Sequence, residues 1–185
     1  MKISHTEVLL NFKKAWLDES LISYLDKSSK IILAFSGGLD SSVLIDSFLY
    51  FMEKQVIKNY KNKILLCHVN HNLSKFSDSW VKHCKDQADK WGVSLVIEEI
   101  KDTNFNGDGL ELWARKARYN VFNNHIKSAD ILLTGHHMDD QAETFLLQCL
   151  RGAGVSGMRA MPKTKEFGGG FLLRPLLGLS KEDLK

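Results

Sequence analysis

Short apolar runs alternating with longer segments of helical periodicity leave this chain few folds to choose from. The runs Lys30–Phe35, Lys63–Val69, Ser94–Ile100, Ile131–Gly135 and a weaker one at Gly170–Arg174 read as strands. Between them the spacing predicts helices over Asp40–Lys54, Asp78–Trp91, Leu110–Ile126 and Asp139–Leu150. Parallel strands need such crossovers, and strands that are apolar almost throughout are expected where both faces of a sheet are covered. The expected fold class is therefore α/β, a parallel sheet with helices on both faces. A further amphipathic helix is expected ahead of the first strand, with Leu9, Leu10, Phe12, Trp16 and Leu17 on helical spacing.

The expected organisation is an N-terminal helix within residues 1–29 packed on a domain of residues 30–177, followed by the start of a linker or helix at 178–185. Ser180 with Asp183 three residues later resembles a helix start. That reading expects further C-terminal domains. No apolar run is long and uncharged enough to span a bilayer, and no basic-then-apolar leader opens the chain. Cys67, Cys84 and Cys149 are far apart and form no C-x-x-C pair. They read as small buried hydrophobes in a reducing compartment, so a cytoplasmic location is expected. With 25 Lys+Arg against 22 Asp+Glu, the net charge of +3 does not argue for a polyanion-binding protein. A case for RNA has to come from the site.

The strongest local signal is Ser36-Gly37-Gly38-Leu39-Asp40-Ser41-Ser42, placed between a strand and a helix. Two glycines allow unusual dihedrals and close approach to a ligand, and the helix start offers unpaired N–H groups to an anion. Ser36, Ser41 and Ser42 add hydroxyls. Asp40 would repel phosphates unless a divalent cation lay between, so Mg²⁺ at Asp40 is expected. The plainer reading is a glycine turn with an ordinary helix cap. Neither a G-x-x-x-x-G-K-[ST] loop nor a G-x-G-x-x-G after a strand is present.

A second cluster follows the fourth strand. His136 and His137 precede Asp139 and Asp140 in the first turn of a helix, with Glu143 about one turn later. In an open parallel sheet ligands gather beyond the carboxyl ends of the strands, which puts this cluster beside the glycine loop. Acidic residues also favour helix starts for their own sake. Zinc is disfavoured, since adjacent histidines point apart and no thiolate accompanies them. Arg115 and Arg118 lie three apart on one helix, where Glu111 and Arg115 could form a plain surface pair. Arg151, with Gly152, Gly154 and Gly157, reads as a helix end and loop. The run Asp102–Gly107 copies half of an EF-hand loop, but its twelfth position is Trp113, so calcium coordination would be incomplete.

The Ser-Gly-Gly-x-Asp-Ser segment resembles the PP-loop of ATP pyrophosphatases, whose implied fold is Rossmann-like (adenine nucleotide alpha hydrolase-like). Three more segments are similar to the lysidine synthetase family: His68-Val69-Asn70-His71-Asn72-Leu73, the Glu111–Tyr119 run E-L-W-A-R-K-A-R-Y, and Thr134–Gly154. Arg174-Pro175-Leu176-Leu177 fits as well, and the correspondence runs in order from about Ile31 to Leu177. Ser74 departs from it, standing where many members carry arginine.

The resemblance implies ATP and Mg²⁺ as cofactors. The implied substrates are free L-lysine and tRNA(Ile) with a CAU anticodon. It implies ATP contacts from Ser36 to Ser42 and His136, and catalysis by Asp40 with Asp139, Asp140 or Glu143. It implies substrate binding by His71, Arg115, Arg118 and Arg151. The implied chemistry is adenylation of a cytidine oxygen, then displacement of AMP by lysine. A homodimer is a further open expectation. The alternatives are a tRNA-thiolating PP-loop enzyme, which generally needs cysteines near the site, and an ATP-binding module without chemistry.

Overall fold

The computed structural model describes residues 24–25, 27–54, 60–101, 109–152, 154 and 159–185. The expected N-terminal amphipathic helix, the half EF-hand run and Gly157 lie outside them.

The strands are β1 (Ile31–Ala34), β2 (Ile64–Asn70), β3 (Ser94–Glu99), β4 (Ile131–Leu133), β5 (Thr164–Phe167) and β6 (Gly170–Leu173). The helices are α1 (Leu39–Lys54), α2 (Ser77–Trp91), α3 (Leu110–His125) and α4 (Met138–Leu150). The sheet order is β3-β2-β1-β4-β6-β5. All neighbours are parallel except β5 with β6, which form an antiparallel hairpin. Ile31 is in register with Ile64 on one side and Ile131 on the other.

Alternation along β1 explains the two covered faces. Ile31 and Leu33 pack with Leu44, Ile45 and Phe48 of α1 and with Cys84 and Ala88 of α2. Ile32 turns the other way, joining Cys67, Leu132 and Leu172 beneath Phe122 of α3 and Ile126 just after it. Each fully buried Leu, Ile or Phe contributes about 1.5–3 kcal/mol, so truncation in either layer is costly. The main core draws on both flanks of the 30–177 segment, since Leu25, Leu179 and Leu184 are all buried in it. Near the end, Ser180 N–H donates to Asp183 Oδ2 at 2.8 Å and Asp183 N–H to Ser180 Oγ at 3.2 Å. This reciprocal pair opens a short 3-10 turn, Glu182–Leu184.

Chain progress runs outward from β1 through β2 to β3, then returns to the far side of β1 at β4. The switch point lies between β1 and β4, and the loops after these strands flank one crevice. Among the described residues no helix is long and apolar enough to cross a membrane.

Candidate nucleotide-binding and catalytic site

The loop after β1 is held by its own hydroxyls. Ser41 Oγ donates to Gly38 O at 3.0 Å and lies 3.0 Å from Ser36 Oγ, while Ser42 Oγ donates to Gly38 O at 3.0 Å. Gly38 N–H turns to Ser36 Oγ at 3.3 Å. Gly37 sits at φ +81°, a left-handed conformation that side-chain-bearing residues rarely adopt. The serines thus brace the turn, and the first N–H groups of α1, which have no carbonyl within the helix, remain for an anion.

The loop after β4 closes the other wall. A Cβ on Gly135 would lie 3.0 Å from Asp40 O and 3.4 Å from Ser41 N, so the two loops meet backbone to backbone. His136 then places Nδ1 2.9 Å from Thr134 Oγ1. Burial, followed by the charge of Arg174, pushes its pKa down to about 4, and the imidazole is neutral at pH 7. His137 turns inward and is buried. Its Nε2 lies 3.7 Å from Asp40 Oδ2 and 3.6 Å from Asp140 Oδ2. Asp140 also accepts the His137 N–H at 2.8 Å, capping α4.

The carboxylates separate in role. Asp140 and Glu143 line a cavity of about 1480 Å³ that also reaches Ser36, Asp40 and Ser41. Asp139 does not line it; its Oδ1 accepts the Lys181 N–H at 3.2 Å. Arg115, Arg118, His71, His136 and Arg151 all face the same cavity. Arg115 holds its guanidinium 5.1 Å from the centre of the Tyr119 ring. Both ring nitrogens of His71 are buried without a hydrogen-bond partner among the described residues, beside Trp113. Burial and then the charge of Arg118 hold His71 below the ordinary imidazole range. Of the expected loop residues, Gly37, Gly38, Leu39 and Ser42 shape the bend without lining the cavity, and Leu39 is 48% exposed.

The cation expectation can be tested on Asp40 itself. Its Oδ1 is buried and has no hydrogen-bond partner among the described residues. Among the described residues no three or more His, Cys, Asp or Glu side chains are grouped to hold a metal. A carboxylate such as Asp40 suits Mg²⁺, which takes one or two and completes its shell with phosphate oxygens and water.

Three features went unread in the sequence. Trp80 donates its indole N–H to Ser36 O at 2.7 Å. His137 is the N-cap residue of α4 and also approaches Asp40 at the start of α1. Gln141 exchanges two hydrogen bonds with the Met161 backbone, both at 2.7 Å, and so fastens the segment before β5 to α4. Cys67 and Cys84 are buried as expected, but Cys149 on the outer face of α4 is exposed.

Comparison with known proteins agrees with this geometry. A family model described as a PP-loop domain matches residues 6–185. A tRNA(Ile)-lysidine synthase of Vibrio campbellii is 40% identical over 168 residues, covering 88% of this chain and 37% of that protein. The tRNA(Ile)-lysidine synthase of Salmonella typhi is 40% identical over 169 residues, covering 91% and 37%. The chain thus spans little more than a third of the length of these curated relatives. Among solved structures, a U34-tRNA thiolase from Methanococcus maripaludis superposes with TM-score 0.72 at 16% identity, over 97% of this chain and 60% of that one. An ATP complex of Candida glabrata FMN adenylyltransferase gives TM-score 0.58 at 14% identity, over 97% and 53%. These likenesses establish the fold, and the family match establishes descent: the chain belongs to the PP-loop domain family.

Proposed function

We propose that this chain is the ATP-using domain of a bacterial tRNA(Ile)-lysidine synthase, joining lysine to the wobble cytidine of a CAU anticodon. One observation carries the reading. Ser36, Asp40 and Ser41 of the braced loop, two α4 carboxylates and two α3 arginines face a single cavity. That cavity exceeds the usual ~300–1,000 Å³ of a single small-ligand pocket, so it can take a nucleotide together with a second reactant. Two relatives at 40% identity carry the lysidine synthase name.

In this reading the Gly37 N–H and the first N–H groups of α1 bind the ATP phosphates. Asp40 would hold Mg²⁺, which would supply positive charge toward the leaving pyrophosphate. The cytidine ring oxygen attacks the α-phosphate, giving an adenylated base and pyrophosphate. Arg115, Arg118 and Arg151 serve the polyanionic substrates, and neutral His136 offers a hydrogen bond without adding charge. The lysine ε-ammonium must lose a proton before its nitrogen can displace AMP. Holding the amine neutral at pH 7 costs about 4–5 kcal/mol. Asp140 or Glu143 binds the ammonium and accepts the first proton, which frees the nitrogen lone pair; a second proton leaves the nitrogen as the carbon–nitrogen bond forms and AMP departs. Asp139, tied to the Lys181 backbone, is left to position the start of α4.

Lysine-dependent incorporation of radiolabel into tRNA(Ile) by the full-length protein tests the reading. Label in the wobble cytidine is expected; ATP-dependent sulfur transfer to tRNA without lysine incorporation would replace it with the thiolase reading.

A further inference from the structure

We infer that Trp80 is a positioning residue for the phosphate loop, holding it from α2 in the conformation that receives ATP. The inference rests on the proposal that the loop binds ATP. Four observations converge on it. The indole Nε1–H donates to Ser36 O at 2.7 Å, across 44 residues of sequence. The same ring covers Gly37, where a Cβ would meet Trp80 Nε1 at 3.1 Å and Cys84 Sγ at 2.9 Å. Trp80 and Cys84 are four apart on α2 and present one face to the loop. Beneath them His68 Nδ1 lies 2.9 Å from Phe35 O and 3.5 Å from Cys84 Sγ, so the residue before the loop is held as well.

This arrangement accounts for an otherwise costly side chain. Trp80 is 48% exposed at the cavity rim, where a large aromatic ring gains little from burial. Its bond to the loop fixes the Ser36 carbonyl toward α2. In a trans peptide the N–H lies opposite the carbonyl, so the Gly37 N–H is turned away from α2, with Gly37 in its left-handed conformation. Cys84 supports the packing as a neutral thiol, since burial pushes its pKa up to about 11 and no thiolate faces the phosphates.

The test compares wild type with Trp80→Phe, which keeps the ring and loses the donor, and with Trp80→Leu, which loses both. ATP binding with Mg²⁺ is titrated calorimetrically, and thermal midpoint and lysine KM are measured on the same proteins. The expected result is about tenfold weaker ATP binding for Trp80→Phe, the fold-change of one lost hydrogen bond. Binding weakens further for Trp80→Leu, while lysine KM stays within twofold. Unchanged ATP affinity in both variants overturns the inference. So does a loss of ATP and lysine affinity in parallel with a lowered midpoint, which marks a purely structural contact. Failure of wild type to bind ATP would instead remove the functional reading beneath it.

Discussion

The imidazole of His137 sets its Nε2 3.7 Å from Asp40 Oδ2, so the starts of α1 and α4 meet through one buried side chain. The same nitrogen lies 3.6 Å from Asp140 Oδ2. Replacing His137 by Leu would leave the two carboxylates facing across an apolar group. Both carboxylates then lose the ring nitrogen that stands 3.7 and 3.6 Å from them. His137→Leu should therefore weaken Mg²⁺-ATP binding about tenfold or more, as measured by titration. An affinity within twofold of wild type would show that the contact does not shape the site.

Asp140 has two separable duties, a cap on α4 and a carboxylate in the cavity. Asn retains an oxygen that can accept the His137 N–H, whereas Ala does not. Asp140→Ala should lose about 1 kcal/mol of stability, as cap deletions do. Asp140→Asn should melt near wild type, and both variants should lose lysine ligation by about a hundredfold or more. A fully active Asp140→Asn enzyme would remove the carboxylate from the chemistry.

The low pKa of His136 makes stability depend on pH in a defined direction. The unfolded chain takes up a proton near the ordinary value of 6.5, but the folded one resists until about 4. The native state therefore loses stability as pH falls between those values, by up to about 3 kcal/mol for this group, and none of the loss occurs above the window. His68 and His71, also lowered, act in the same direction. Denaturant melts from pH 7 to pH 4 should show a shallower decline for His136→Asn than for wild type. Parallel curves would contradict the assignment.

Gly135→Ala tests the seam between the two loops. The added methyl would sit 3.0 Å from Asp40 O and 3.2 Å from its carbonyl carbon, both backbone atoms that cannot swing aside. A cost of about 1–3 kcal/mol is expected, typical of overpacking, together with weaker ATP binding. Chemical denaturation and nucleotide titration measure the two effects, and a wild-type result in both would show that the loops have room to part.

Much of this was legible in one dimension. The strands β1 to β4 and the helices α1 to α4 announce themselves through apolar runs and helical spacing, and their observed bounds differ from the expected ones by one or two residues. The hairpin strand β5 was missed because Thr-Lys-Glu-Phe carries a single apolar side chain and lies at the sheet edge. The glycine loop and the His136–Glu143 cluster could be placed at one sheet edge, because strand order dictates where ligands bind. Trp80 could not, since its bond to Ser36 joins residues 44 apart and depends on how α2 is set on the sheet. The division of labour between Asp139 and Asp140 was equally hidden: neighbours in sequence, they differ in which backbone N–H each one meets and in whether they line the cavity.

The central claim is attack on the α-phosphate of ATP within the crevice between β1 and β4. It is tested most directly by following ATP labelled separately at the α and γ positions, with the full-length protein, lysine and tRNA(Ile). Pyrophosphate and AMP in equal amounts, dependent on tRNA and lost in Asp40→Ala, are predicted. Release of orthophosphate from the γ position, or tight ATP binding with no cleavage at the α-phosphate, would contradict the account.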